Sequence, residues 1–266
     1  MSEAFGDAVR VLSDSPRILA FTGAGISTES GIPDFRGPDG IWTKVDPEDF
    51  TITRYLADSD VRRRRWRMHL EGRLWGARAQ IQPNPGHMAL VDLWQAGRLA
   101  GCVTQNIDGL HLKAGLPEEA VAELHGNVRE VRCLECGHRW PTEEILQRVE
   151  AGEEEPPCGL CGGILKTTTV MFGESLPVAV LERARAMAAG ADAVLAIGST
   201  LGVWPAAEIP YSAARAGRPL VILNRGPTDM DGLASVRIEG AAGVVLPALV
   251  DEILRSGRAP ASTVAT

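Results

Sequence analysis

Four of the five cysteines form two pairs, Cys133-x-x-Cys136 and Cys158-x-x-Cys161, with 21 residues between the pairs. Each pair can bite one zinc ion from a tight knuckle, and two knuckles complete a tetrahedral four-thiolate shell with no open position. The spacing therefore predicts one structural Zn2+ held by Cys133, Cys136, Cys158 and Cys161. His138 is close enough to compete, but four thiolates already close the shell. The fifth thiol, Cys102, lies in an apolar run and reads as buried filler.

A second chemistry is suggested by Thr22-Gly23-Ala24-Gly25-Ile26-Ser27. Glycines directly after a strand let backbone amides and a helix N-terminus face a pyrophosphate. An ordinary tight strand-to-helix turn has the same look, and Thr28 stands where a dehydrogenase fingerprint needs its third glycine. The stiff loop Gly31-Ile32-Pro33-Asp34-Phe35-Arg36-Gly37 follows, its Arg36 offering a planar cationic fork to phosphate or ribose oxygens. Thr104-Gln105-Asn106-Ile107-Asp108 sits at the end of an apolar run, where open α/β sheets place ligands, although Asn or Asp there can equally cap a helix. Leu124-His125-Gly126 then supplies a side chain able to take a proton from a hydroxyl near neutral pH. Among five histidines, only the company of these motifs singles out His125.

The elements that must position these residues alternate between short apolar runs and helical patterns. Strands are expected at 18–21, 101–104, 193–197 and 220–223, with helices near 4–13, 86–97, 177–190, 205–216 and 244–256. Pro177 suits the opening of one helix, where its missing amide proton is not needed. This rhythm predicts an α/β fold, a Rossmann-type parallel sheet covered on both faces. Two further turns, Gly198-Ser199-Thr200-Leu201-Gly202-Val203 and Leu223-Asn224-Arg225-Gly226, each follow a predicted strand and would line the same crevice. Residues 35–83 and 128–166 break the rhythm and are expected to form a smaller domain beside a large one made of 1–34, 84–127 and 167–256. The small, polar stretch 257–266 is expected to be a disordered tail.

Composition narrows the classes. Of 266 residues, 45% are hydrophobic and 23% charged, as in an ordinary globular protein. The net charge of −7 argues against a nucleic-acid partner, which needs cations to displace phosphate counterions. Arg62-Arg63-Arg64-Arg65 with Arg67 is a local exception, expected to be a solvated helix face rather than a contact for an acidic partner or acyl group. There is no signal-like N-terminus and no run of membrane-spanning length, so a soluble cytoplasmic protein with reduced thiols and no membrane partner is expected.

Taken together, Gly23 to Ser27, Gly31 to Gly37, Thr104 to Asp108, His125-Gly126 and the two cysteine pairs resemble the sirtuin family in order and spacing, from about residue 17 to 250. The resemblance implies a large Rossmann-type domain, a small domain with a zinc ribbon and a cofactor-binding loop, and NAD meeting an acyl-lysine peptide in the cleft between them. It places Gly23, Ala24, Gly25, Ser27, Asp34, Phe35, Arg36, Trp42, Gln105, Asn106, Ile107 and Asp108 around NAD. Gly198, Ser199, Thr200, Asn224, Arg225, Gly226 and Ala242 fall on the adenosine side. His125 falls on the catalytic base, with Asn106 and Asp108 beside the reacting sugar. Val170, Phe172, Gly173 and Glu174, with Gly202 and Val203, match two segments that take the substrate peptide between them as an added strand.

The activity so implied is NAD-dependent protein-lysine deacylation, with acetyl as the default group, nicotinamide released and the acyl group passed to ADP-ribose. The Tyr-x-x-Arg pair of desuccinylating members does not occur between Val61 and Glu71, where the sequence is closer to the family's mitochondrial branch, as is Gln82 to His87. Longer acyl groups therefore stay open. The rivals are a mono-ADP-ribosyltransferase, a hydride-transferring dehydrogenase and a zinc-ribbon binding module without catalysis. A monomer is the default state.

Overall fold

The computed structural model describes residues 2–35, 40–43, 46–74 and 80–256, and only the backbone of Trp42. Arg36, Gly37, the side chain of Trp42 and the stretch 257–266 lie outside the described residues.

The central sheet has six parallel strands in the order β3 (Val121–Glu123), β2 (Leu99–Thr104), β1 (Ile18–Thr22), β7 (Ala193–Ile197), β8 (Leu220–Asn224) and β9 (Val236–Glu239). Strands β1, β7 and β8 are buried at every position, which is why they read as unbroken apolar runs. Successive side chains point to opposite faces. Ile18 and Ala20 thus join Leu12 of α1 (Glu3–Ser13), Leu90 and Leu93 of α4 (Pro85–Gln95) and Leu246 and Leu249 of α9 (Ala242–Ser256). On the other face, Leu19 and Phe21 join Ala184 and Ala188 of α7 (Val178–Ala189) and Ile209 and Ala213 of α8 (Glu208–Arg215).

The expected strands and helices are present with ends shifted by a few residues, and Pro177 is the cap just outside its helix. The edge strands β3 and β9 were not expected. They are three and four residues long, too short to carry a periodic signal. Directly after β1 the chain makes two short 3-10 turns, Ala24–Ile26 and Thr28–Ser30.

Outside this sheet, β4 (Glu130–Cys133) pairs antiparallel with β5 (Arg139–Pro141) and β6 (Leu165–Thr167), with α6 (Thr142–Glu150) packed beside them. The earlier excursion folds as α2 (Ile52–Ala57) and α3 (Ser59–Leu70). Trp66 of α3 is 1% exposed and shares an apolar cluster with Val131, Ile145, Leu146 and Leu165. The arginine run of α3 is not a bare solvated face. Arg62 and Ser59 bond Glu155, Arg67 lies 3.3 Å from Glu154, Arg64 3.1 Å from Asp49, and Arg65 stacks 4.4 Å over the Phe50 ring. Glu154 and Glu155, between the cysteine pairs, are thus counter-charges of the arginine run, while Glu153 pairs with Arg148 of α6. Among the described residues, no helix is long and apolar enough to cross a membrane.

Candidate active site

The chain moves outward from β1 through β2 to β3, then returns to place β7 on the other side of β1. The crevice beyond the carboxyl ends of β1 and β7 is therefore the switch point at which such sheets bind ligands. Two turns interlock there. Gly23 N donates to Ile197 O at 3.0 Å and Gly25 N to Gly198 O at 2.8 Å. A Cβ on Gly25 would lie 2.6 Å from Gly198 Cα, and one on Gly198 2.4 Å from Ile26 N. Gly198 also has φ +61. The glycines thus let two backbone turns close on each other, which joins the plain-turn reading to the nucleotide one.

Above this interlock, a buried polar network links the ends of β1 and β2. Ser27 Oγ donates to Asp108 Oδ2 at 2.8 Å, and Asn106 Nδ2 donates to Ser27 Oγ at 3.2 Å and to Gly23 O at 3.1 Å. Asp108 Oδ1 accepts from Leu110 N at 2.9 Å, the first amide of a short helix, α5 (Leu110–Ala114), whose N-cap is Gly109. Burial raises the Asp108 carboxyl above its ordinary range, against the pull of these two donors.

His87 and His111 were missed by the sequence reading. Asn84 N donates to His87 Nδ1, which leaves the His87 Nε2 proton facing Ser27 Oγ at 3.5 Å. His111 Nε2 meets Thr22 Oγ1 at 2.8 Å. Burial drives His87 down to about 4 and His111 well below the usual range, so both are neutral supports of the network near pH 7. The one cue was His87 three residues after Asn84, the spacing of a capping box.

His125 follows β3, and its Nδ1 lies 2.8 Å from Gln105 O. A backbone carbonyl only accepts, so Nδ1 carries the proton and the Nε2 lone pair is left to act as a base. Burial lowers its pKa, and the Gln105 bond only partly offsets this. Gly126 has φ +67, and a Cβ there would sit 2.0 Å from Thr168 O. That glycine lets the His125 backbone run against the next segment, where Val170 N donates to His125 O at 2.7 Å.

Gln105 also accepts from Ser199 Oγ at 2.7 Å, and Ser199 Oγ accepts from Leu201 N at 3.1 Å. Leu201, at φ +56, turns the chain toward Gly202 and Val203. Further along the crevice, Asn224 Nδ2 bonds the carbonyls of Arg225 and Gly226, Arg225 lies 3.6 Å from Glu29, and Ala242 opens α9. Thr200 O accepts from Asp229 N, Ile107 O from Val128 N and Asp34 O from Ile41 N. Ala24 opens the first 3-10 turn, and Phe35 ends the described part of its loop.

Phe172 N donates to Phe50 O and Phe172 O accepts from Ile52 N, while its ring is half-exposed. Gly173, at φ +86, completes that turn. Glu174 does not point outward with Phe172. Its Oε2 accepts from Met171 N at 2.8 Å and lies 2.9 Å from Lys166 Nζ, so its side chain braces the turn from behind.

Away from the crevice, the Sγ atoms of Cys133, Cys136, Cys158 and Cys161 all lie within 4.8 Å of one another. The pairs Cys133–Cys161 and Cys136–Cys158 are 3.5 and 3.7 Å apart. Tetrahedral zinc with bonds of about 2.3 Å requires sulfur separations of about 3.8 Å, so the cluster fits the ion. His138 meets the Trp140 ring edge to face instead and is not in the cluster. Cys102 is fully buried, and burial pushes its thiol up to about 12.

Comparison with known proteins agrees with this geometry. Residues 23–205 match the model of the Sir2 family. NAD-dependent protein deacetylase 2 of Streptomyces coelicolor is 43% identical over 242 residues, covering 90% of this chain and 98% of the relative. NAD-dependent protein deacylase 2 of Archaeoglobus fulgidus is 39% identical over 256 residues, covering 96% and 98%. A solved Sir2 enzyme superposes with a TM-score of 0.86 at 39% identity, covering 96% of this chain and 99% of its own. Another, Sir2Af2 bound to a myristoylated histone peptide, gives 0.76 at 34% identity, covering 96% and 98%. With its parallel sheet, its four-cysteine ribbon and its glycine-locked crevice, the chain belongs to the Sir2 family, the sirtuins.

Proposed function

We propose that this chain removes acyl groups from protein lysine side chains, with NAD as co-substrate and His125 as the base. The observation that carries the assignment of the base is the His125 Nδ1 to Gln105 O bond, which fixes the tautomer and aims a free Nε2 from a strand end beside the switch-point crevice. NAD supplies, when bound, a ribose that receives the acyl group and a nicotinamide that departs. Hydroxyl, carboxamide and carboxylate groups at the ends of β1 and β2 suit a ribose: Ser27, Gln105, Asn106 and Asp108 would hold it. The interlocked turn 23–25 would face the phosphates with Asp34, Phe35, Arg36 and Trp42 over them, and Gly198, Ser199, Thr200, Asn224, Arg225, Gly226 and Ala242 would receive the adenosine. His125 would take the proton from a ribose hydroxyl, and its lowered pKa keeps it ready to do so at neutral pH. The carboxylate of Asp108 and the carboxamide of Asn106 would stabilise positive charge developing at the sugar, in a site from which the substrate excludes water.

Zinc has no step in this chemistry. Four thiolates leave no open position for a reactant, so the ion would hold the ribbon together. The peptide would lie between Val170–Gly173 and Gly202–Val203, paired through backbone groups. Residues 35–83 and 128–166 would act as the smaller domain, and one chain carries every group named, so a monomer suffices. Reduced thiols at the ribbon suit the cytoplasm.

The test is to incubate the protein with NAD and lysine peptides bearing acetyl, longer aliphatic and acidic acyl groups, following nicotinamide and products by mass. Acyl-dependent nicotinamide release with an O-acyl-ADP-ribose product is expected, acetyl being the default substrate and longer chains the alternative. Nicotinamide release without any acyl peptide would instead mark ADP-ribosyl transfer.

A further inference from the structure

Lys166 is a buried lysine that the chemistry above does not use. It is 2% exposed at the centre of β6, and its Nζ spends its three protons on Thr167 O at 3.1 Å, Thr169 O at 2.5 Å and Glu174 Oε2 at 2.9 Å. Burial lowers its pKa, and Glu174 is the group that opposes this. The same Glu174 oxygen accepts from Met171 N, while Arg132 of β4 stands 3.5 Å from the other. The surroundings explain why Glu174 turns inward. Tyr55, Arg65, His69 and Lys166 line one enclosed crevice beneath Met171, where Arg65 Nη1 and His69 Nε2 lack hydrogen-bond partners among the described residues. Arg65 and Lys166 bring two cations to that crevice, burial keeps His69 neutral by driving its pKa down to about 3, and Glu174 is the anion that meets Lys166.

The two ends of this contact belong to different parts of the site. In register, Lys166 faces Arg132, and its neighbour Leu165 faces the zinc ligand Cys133. At the other end, Met171 leads directly into Phe172, which is pinned between Phe50 and Ile52. We propose that the Lys166–Glu174 pair is a positioning device that ties the cysteine ribbon to the turn 170–174, so that affinity for the acyl-lysine peptide depends on the ribbon while affinity for NAD does not. The dependence of peptide affinity rests on the assignment of 170–173 to the peptide. The tie itself does not.

Lys166→Met removes one partner and leaves Glu174 buried against nothing of opposite charge on β6, whereas Lys166→Met with Glu174→Gln removes both charges and keeps an oxygen for Met171 N. Amide hydrogen exchange without any ligand is read first. In Lys166→Met, exchange at 170–174 is expected to quicken about a hundredfold while β1 and β7 stay protected and zinc content is unchanged. In turnover, KM for an acetyl-lysine peptide is expected to rise about tenfold with KM for NAD held within about twofold. The double variant is expected to return both readouts to within about threefold of the parent, because a neutral pair leaves no unpaired buried charge. If Lys166→Met does not fold, Glu174→Gln alone decides the matter, with the same direction and a smaller size. Unchanged exchange at 170–174 in a folded, zinc-loaded variant overturns the tie, as does an NAD KM that rises with the peptide KM. Quickened exchange in a protein that turns over no acyl peptide would leave the tie standing and overturn the deacylase assignment instead.

Discussion

The crevice at the switch point and the cysteine ribbon solve the same problem, holding a few side chains in place, by opposite means. In the crevice, the backbone does the holding. Gly25 and Gly198 let two turns meet, and Ser27, Asn106 and Asp108 hang from them through hydrogen bonds sheltered from water. In the ribbon, strands of only three and four residues enclose a small apolar cluster, and charged pairs such as Arg62–Glu155 and Arg67–Glu154 join it to α3. A core that small supplies little stability, so side-chain chemistry at the four cysteines must do what packing does elsewhere. The contrast teaches that the crevice is held by close backbone approach within one large sheet, whereas the ribbon is held by a few side-chain contacts, each of which a single substitution can remove.

Substitutions can break this contrast on either side, and the largest effect is expected in the ribbon. Cys133→Ser removes a zinc ligand, and binding energies of order 10 kcal/mol for structural zinc predict release of the ion and local unfolding of β4 to β6. Zinc analysis with hydrogen exchange should show the six-stranded sheet still protected, and loss of that sheet as well would mean the two regions are one cooperative unit. On the other side, His125→Ala should lower turnover about a thousandfold, the middle of the range for a general base. Its zinc content and thermal midpoint should match the parent. Gly25→Ala comes next, because its Cβ would stand 2.6 Å from Gly198 Cα. Overpacking of that kind costs about 1–3 kcal/mol, and denaturant unfolding should show it together with a raised KM for NAD. The pH profile gives a gentler test. Because burial lowers the His125 pKa, Nε2 stays unprotonated through neutrality, and kcat/KM should fall only as pH drops below the ordinary histidine value of about 6.5. A limb above that value would contradict the assignment. The smallest effect is expected for Arg67→Ala, whose partner Glu154 is exposed. About 0.2–1 kcal/mol at low salt, fading as salt rises, is the most such a pair contributes.

The two regions also differed in how far their sequence could be read. Strands β1, β7 and β8 were plain because both of their faces are buried, leaving uninterrupted runs of apolar residues. The cysteine pairs were plain because tetrahedral coordination dictates a spacing along the chain. What escaped notice depends on neighbours distant in sequence. His87 and His111 gain meaning only when the fold brings them to Ser27 and Thr22, 60 and 89 residues away. The partners of the arginine run were hidden for the same reason, since Glu154 and Glu155 are written into the loop between the cysteine pairs. Glu174 was read together with Phe172 and Gly173, but the direction of its side chain follows from Lys166 and Arg132 beside it, which no local pattern reveals. The glycines of the crevice were noticed for what they could do for a ligand, and part of their purpose is what they do for each other.

That last feature bears on when the protein becomes active. The mate of Gly25 is Gly198, so during synthesis the crevice has no second wall until β7 has emerged and paired with β1, and ordering a contact so distant along the chain comes late and slowly. A chain stalled or cleaved before β7 has all four ribbon cysteines and His125 in its sequence, but no closed turn for a cofactor to meet. Activity in this sense waits on β7 and Gly198, and chains that end before them should be unable to consume NAD.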